Sequence, residues 1–481
     1  MTAKVSLRAR ICLAAACLAA VLAVASSVPD HSAAGTDPRD RLAMLAVLKA
    51  GQYDRLEGYL RRLHDGYEAG RRSETELEAA YAAFASADPA LRAKLETWVA
   101  RRPGSFAARL ARAGYDRHLA RIARRNGAPA RVLGQSVDDV LARARRDLER
   151  AVGLHPRLGV GYAALIGIAM ADGAGPQADR WFERGLAADP GSAALRRAYL
   201  LSLRPWRRPD EDPVALMERL RALAEASGET AGEARDPSPA LAALAGFHDY
   251  VTAELLRRQR RHGQAELYYR EALARGRDWL YLRGAGMNAL QSAKPVAAVG
   301  FFSEALARRP QTPVLLDWRA HALWSLGNRG AALADWRLAL AVDPGNPDIL
   351  YAFAQALRRQ GEAELAAEVI EGAAGVAREN ARLRGLRGEL LLADLDRPDD
   401  AIAELRSAVT LDPGAGESWR AYAEALYLAN DCEGAADALV RYRQLCADGT
   451  RCSDDDLAWA GRTLEETRDP DICPVYGILG P

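Results

Sequence analysis

The chain has 481 residues, enough to bury a large core, and its 65 Lys plus Arg against 64 Asp plus Glu leave a formal net charge of +1. That balance excludes a bulk electrostatic pull toward nucleic acid. Lysine occurs only at Lys4, Lys49, Lys94 and Lys294, so arginine carries the positive charge. With the abundant alanine this reads as compositional bias before it reads as anion recognition.

The first segment has the three parts of a secretory signal peptide. Lys4, Arg8 and Arg10 form a positive n-region. Ile11 to Val24 is an apolar run too short to span a bilayer comfortably, and Ala23-Val24-Ala25 is a small-x-small cleavage site. Residues 1–25 are expected to leave, with membrane contact only before cleavage, and the mature chain to start at Ser26 in the periplasm or outside the cell. An uncleaved anchor is the alternative. A lipoprotein fits less well, because Cys17 lacks the usual leucine and a sufficient apolar run before it. Residues 26–39 read as a polar tether.

Residues 40–226 read as an N-terminal helical domain. Leu42, Leu45 and Leu48 lead into Gly51, and Leu56, Tyr59, Leu60 and Leu63 follow at helical spacing. Ser73-Glu74-Thr75-Glu76 has the form of a capping box. Asp88-Pro89 opens another helix through Leu91, Leu95 and Val99. Phe106 to Pro156 reads as a helix hairpin with an insertion, Arg117–Val137, between its helices. A second unit occupies Gly159–Pro190, and Pro213 to Ala226 is a further helix. Residues 227–244 contain SGETAGEARDPSP, polar with Pro and Gly, the best linker in the chain.

Residues 245–449 read as an array. Its clearest member, Pro313–Pro344, predicts a helix over Val314–Leu326, a stop at Gly327 by left-handed glycine, and a helix over Arg329–Ala341. Leu316, Ala320, Leu323 and Leu326 are expected inward on the first helix, and Leu333, Trp336 and Leu340 on the second. Asp343-Pro344 ends it, since proline disfavours helix in the residue before it. Ala320, Ala332 and Ala339 mark a close crossing. Pro310 to Pro344 spans 34 positions, as does Pro156 to Pro190, and Pro344 to Pro413 spans 69. This period, with Ala-Leu pairs before Asp-Pro, resembles the tetratricopeptide repeat. The residues that carry the resemblance include Gly286, Ala298, Phe302 and Ala305, then Ala354, Gly361, Ala366 and Ile370, then Gly388, Ala401, Leu405 and Ala408. The resemblance implies an all-α, right-handed superhelical solenoid of antiparallel helix hairpins, here two arrays joined by a linker. The stretch from Leu56 to Pro205, through LETWVARRPGSFAARLARAGYDRHLARIARR, resembles an uncharacterised bacterial domain that precedes such repeats. It departs at Arg204-Pro205-Trp206-Arg207-Arg208, where that family carries Pro-Arg-Trp-Gly-Gly.

Residues 450–481 read as a capping tail, with Asp454-Asp455-Asp456 opening a helix through Leu464. Four cysteines, Cys432, Cys446, Cys452 and Cys473, cluster near this end. In an exported protein they read as disulfides, with Cys446–Cys452 and Cys432–Cys473 favoured among three pairings. A zinc site is the alternative, although no C-x-x-C pair is present.

No H-E-x-x-H, G-x-S-x-G or P-loop motif occurs, and no cofactor is expected. Arg121, Arg124, Arg125 and Arg131, and likewise Arg257, Arg258, Arg260 and Arg261, read as solvated helix faces with partners such as Glu254 for Arg258. Contact with anionic lipid headgroups or acidic polysaccharide is the alternative. The repeat resemblance places a binding groove on the first helix of each hairpin. By register this selects Arg283, Met287, Asp317, His321, Trp324, Tyr351, Gln355, Arg358, Arg420, Glu424 and Tyr427. Aromatic groups beside arginines suit a protein or peptide partner, or an envelope glycan. Packing of Trp324 and Tyr427 between neighbouring first helices is the alternative. The expected function is an exported, non-catalytic scaffold of the cell envelope. The competing one is a polysaccharide- or peptidoglycan-associated protein whose N-terminal domain has an activity of its own.

Overall fold

A computed structural model describes residues 40–125, 131–132, 134–233, 239–373, 375, 378–448 and 452–469. The signal segment, the tether and the apolar terminus with Cys473 lie outside these residues. Among the described residues the fold is helical apart from two two-residue strands. No described helix is long and apolar enough to cross a membrane.

The N-terminal helices are α1 (Arg41–Lys49), α2 (Tyr53–Glu68), α3 (Glu74–Ala82) and α4 (Ala90–Arg101). Asp40 caps α1 by accepting from the Ala43 amide. The expected capping box opens α3: Glu76 Oε2 accepts from the Ser73 amide at 2.9 Å. Next come α5 (Phe106–Arg125), β1 (Arg131–Val132), β2 (Gln135–Ser136) and α6 (Val137–Leu154). Much of the expected insertion is therefore helix, because α5 continues to Arg125. The chain goes on through α7 (Gly159–Ala171), α8 (Gly175–Ala188), α9 (Ala193–Ser202), a 3-10 turn at Pro205–Arg207 and α10 (Pro213–Glu233). The stretch expected to begin a linker at Ser227 is thus helical as far as Glu233, and Ser227 itself is buried.

The array begins with the short α11 (Pro239–Ala242). It continues in pairs: α12 (Phe247–Arg258) with α13 (His262–Arg275), α14 (Trp279–Gln291) with α15 (Pro295–Arg308), and α16 (Pro313–Ser325) with α17 (Arg329–Val342). After these come α18 (Pro347–Arg358) with α19 (Ala363–Glu371), α20 (Ala381–Glu389) with α21 (Pro398–Leu411), α22 (Gly416–Leu428) with α23 (Cys432–Ala447), and a last helix, α24 (Asp454–Glu466). The described residues up to Arg121 and within Gln135–Pro344 form one compact unit. The described residues within Ile122–Gly134 and from Gly345 to Asp469 form a second.

Each of these hairpins turns through one left-handed residue: Arg260, Ala293, Gly327, Gly361, Asp396 and Asn430, at φ between 51° and 79°. Ala293, Gly327 and Gly361 are 34 residues apart. Only Gly327 and Gly361 adopt this conformation without a Cβ penalty. The small residues Gly286, Ala320, Ala354 and Gly388 follow the same 34-residue rhythm on the first helices, and all are buried. The partner helix comes so close at Gly286 that a Cβ there would lie 2.7 Å from the Phe302 ring. The expected inward face of α16 needs one correction. Leu326 is 43% exposed, because it sits past the end of the helix as its C-cap.

The N-terminal helices lie as a strap over the caps of later helices in the first unit. Glu74 Oε2 accepts from the Ala194 amide at 2.9 Å and also bonds Ser192, the N-cap of α9. Glu78 pairs with Arg197 at 3.0 Å and with Arg309, and Arg197 pairs with Asp278, the N-cap of α14, at 3.2 Å. Arg41 donates to Thr312, the N-cap of α16, at 3.2 Å. Ser86 Oγ donates to the Val342 carbonyl at 2.9 Å. Asp343 accepts from the Ala87 amide and lies 2.8 Å from His118 Nε2. The Asp-Pro helix stop at 343 is thus a tertiary hydrogen-bond acceptor as well.

Burial alone raises the Glu78 carboxyl, but Arg309 and Arg197 outweigh it and hold it below the ordinary carboxylate range. Glu74 makes no arginine ion pair among the described residues. Burial and the neighbouring Glu78 push it up to about 7, against the bonds from Ser192 and Ala194. His64 is also buried, which drives it down to about 3, with nearby His155 acting in the same direction.

Candidate functional site

In the first unit, α14 carries Arg283 and Met287 about one turn apart and partly exposed. On α16, Asp317, His321 and Trp324 surround one buried side chain, Trp336 of α17. Trp336 Nε1 donates to Asp317 Oδ1 at 2.9 Å. The His321 ring meets Trp336 edge-on at 5.3 Å, and Trp324 lies 5.9 Å from it. His321 Nε2 is 3.5 Å from Asp317, with its side chain 44% exposed. The Asp317 carboxylate therefore anchors a core indole. His321 and Trp324 keep surface facing outward, and Arg329 stacks over Trp324.

In the second unit, Gln355 Nε2 donates to the Tyr351 hydroxyl at 2.9 Å, and the Arg382 guanidinium sits 3.6 Å above the Tyr351 ring. Arg358 is engaged by Glu389 at 3.3 Å and Asp394 at 2.8 Å. Arg420 and Tyr427 face α24, and Glu424 lies 3.7 Å from Arg420 on the same helix. Arg420 Nε lies 2.9 Å from Asp456 and its guanidinium stacks over Trp459, while the Tyr427 hydroxyl donates to Glu466 at 3.0 Å. Beneath them Ala460 and Leu464 join the core of α22 and α23. Ser453 caps α24 by accepting from the Asp456 amide at 3.1 Å. The Cys446–Cys452 disulfide closes the short loop before α24. Cys432 is disulfide-bonded as well, and its expected pairing with Cys473 lies outside the described residues.

Sequence register selected Arg283 but missed what surrounds it. Arg283 and Arg309 both lie over the Trp279 ring, at 5.7 and 5.3 Å. Trp279 Nε1, Arg283 Nε and Arg309 Nε are all buried with no acceptor. An unsatisfied buried donor costs roughly 1–3 kcal/mol, so three around one indole are a concentrated deficit. Nearby, Arg204 and Arg258 both lie over the Trp206 ring, at 5.2 and 4.5 Å. The expected Glu254–Arg258 pair does not form. Glu254 bonds Arg257 at 2.9 Å instead, which frees Arg258 for the indole. Burial, with Arg207 and Arg283 close by, lowers Arg204 to about 10. The signal for this cluster was the Arg204–Arg208 run itself, which stood out in the sequence without a role.

No family model matches the sequence, and no curated protein matches it. Solved structures similar to the chain include MamA (residues 41 to the end) from Desulfovibrio magneticus RS-1, at 20% identity and a TM-score of 0.32, over 36% of this chain and 97% of that one. YrrB, described as a TPR protein with an unusual peptide-binding site, has 15% identity and a TM-score of 0.31, over 40% and 97%. Yeast Tom70 has 14% identity and a TM-score of 0.39, over 90% and 98%.

Proposed function

We propose that the protein is an exported, non-catalytic scaffold whose hairpin array holds a protein partner in the cell envelope. The observation that carries this reading is the outward aromatic and basic side chains on first helices of each unit taken by itself: in the first, His321 and Trp324 over a rigid Trp336 base, and in the second, Tyr351 stacked with Arg382. Such groups give contact area at low entropic cost, and the core beneath fixes their positions. Export is supported by the n-region, apolar run and cleavage triplet at the N-terminus. The Cys446–Cys452 disulfide is consistent with an oxidising compartment.

Crosslinking mass spectrometry on the protein in its native host tests the reading. Crosslinks to a specific envelope protein should be lost when Trp324→Ala and Tyr351→Ala are combined. Unchanged crosslinks in the double variant would overturn the assigned surface. Retention of the protein in the cytoplasm would overturn the compartment.

A further inference from the structure

We propose that Arg204, Trp206, Arg258, Trp279, Arg283 and Arg309 form a recognition site for an acidic peptide segment. The inference deepens the scaffold reading and rests on it. All six residues lie in the first unit. They make two similar constellations, each an indole with two guanidinium groups over its ring, at 4.5–5.7 Å. The two are close enough that Arg283 acts electrostatically on Arg204.

The carboxylates that could neutralise this cluster are committed elsewhere. Glu254 is bonded by Arg257 and Tyr269. Asp278 caps its own helix at the Leu280 amide and pairs with Arg197. Glu78 is shared between Arg197 and Arg309. Among the described residues Arg204, Arg258 and Arg283 enter no ion pair. The donors without acceptors around Trp279 point to the same conclusion: a ligand rich in carboxylates supplies what the protein leaves out.

The stacking decides between peptide and glycan. Sugars are held on aromatic rings by the open ring face. Here guanidinium groups occupy the faces of both indoles. Arg204 Nε donates to the Leu201 carbonyl at 2.8 Å and Arg309 is engaged by Glu78, so what remains available is the terminal amino edge of Arg204 together with Arg258 and Arg283, an edge that binds a carboxylate through two parallel hydrogen bonds. Stacked arginines are also pre-oriented, so less freedom is lost when a carboxylate docks.

Fluorescein-labelled octaglutamate, titrated into the intact protein and followed by anisotropy, tests the site. Binding is expected at low ionic strength, weakening with salt. Octalysine and a Gly/Ser octapeptide should not bind. The double variant Arg204→Gln/Arg283→Gln should bind at least tenfold more weakly, with its circular dichroism melt showing that it remains folded. Trp206→Phe should keep the fold and reduce affinity, because the arginines lose their better stacking partner. Octaglutamate binding that is absent, or equal in the folded double variant, overturns the proposal. So does displacement by polygalacturonate at lower concentration than by unlabelled octaglutamate, which would assign the site to glycan. If the double variant keeps the envelope crosslinks of the parent protein while losing octaglutamate, the acidic segment is not what the scaffold holds there. The scaffold reading itself would then survive.

Discussion

The hairpin α14–α15 contains two glycines for which the same substitution is expected to act in opposite directions. Gly300 lies in the middle of α15 with open space where a Cβ would go. Gly300→Ala should stabilise by roughly 0.5–1 kcal/mol, the ordinary helix-propensity gain. Gly286, in α14, gains the same propensity, but its added Cβ would lie 2.7 and 2.8 Å from Phe302 Cε1 and Cζ. Carbon atoms pack best at about 3.5–4.0 Å, so the ring must retreat by most of an ångström inside a core where Phe302 is fully buried. Overpacking of this kind costs about 1–3 kcal/mol, which exceeds the propensity term. Gly286→Ala should therefore lower the urea midpoint while Gly300→Ala raises it. Phe302→Leu is destabilising alone, but combined with Gly286→Ala it should cost less than the two separate losses added together. Urea denaturation followed by far-UV circular dichroism measures the parent and all four variants. A Gly286→Ala variant more stable than the parent would refute the close-crossing account of the hairpin.

The pH response of Glu74 has a definite sign. Its carboxyl is raised to about 7 from the ordinary 4.5, so the folded state holds a proton that the unfolded chain has released. Its contribution to stability is full below about pH 4.5 and is lost as pH rises toward 7, by roughly 3 kcal/mol. Thermal melts of Glu74→Gln against the parent should diverge in the variant's favour between pH 5 and pH 8; a pH-independent difference would contradict the assignment. Ala293→Gly should stabilise by about 0.5–1 kcal/mol, since relief of the left-handed alanine outweighs the added freedom of the unfolded glycine. A lower melting temperature for this variant would count against a left-handed residue 293. Cys446→Ser/Cys452→Ser opens a loop of about six residues, costing about 2 kcal/mol in the loop-closure model. Hydrogen exchange should then accelerate in α24, and unchanged protection there would show that α24 is held without the disulfide.

Local structure was legible wherever one residue type had one physical meaning. Gly327 ends its helix left-handed, Ser73–Glu76 makes its box, and Ala320, Ala332 and Ala339 are fully buried at the crossing. Those signals act within a turn or a hairpin, the range that sequence spacing reports. The strap was not legible, because Glu78, Arg197 and Arg309 look like any surface charges until the fold brings positions 231 residues apart together. The site was read in part. Register finds the side chains on first helices, but says nothing of what stands opposite. Hence Asp317 proved to hold Trp336, and Arg420 and Tyr427 proved to face α24. Trp206 lies outside every repeat, so no register could have selected it.

Arg41 reaches Thr312 and His118 reaches Asp343, separations of 271 and 225 residues. Repeat arrays ordinarily fold from any point, with each hairpin needing only its neighbour. The strap makes the first unit an exception. Emerging N-terminus first, the chain exposes Glu78 and the amide of Ala87 long before their partners exist, and the last of these, Asp343, is in place only when α17, which it caps, is complete. Loop closure over such distances is slow. Final locking of the first unit is therefore a late, non-local event, and the unit's two ends share one unfolding transition although few repeats touch both.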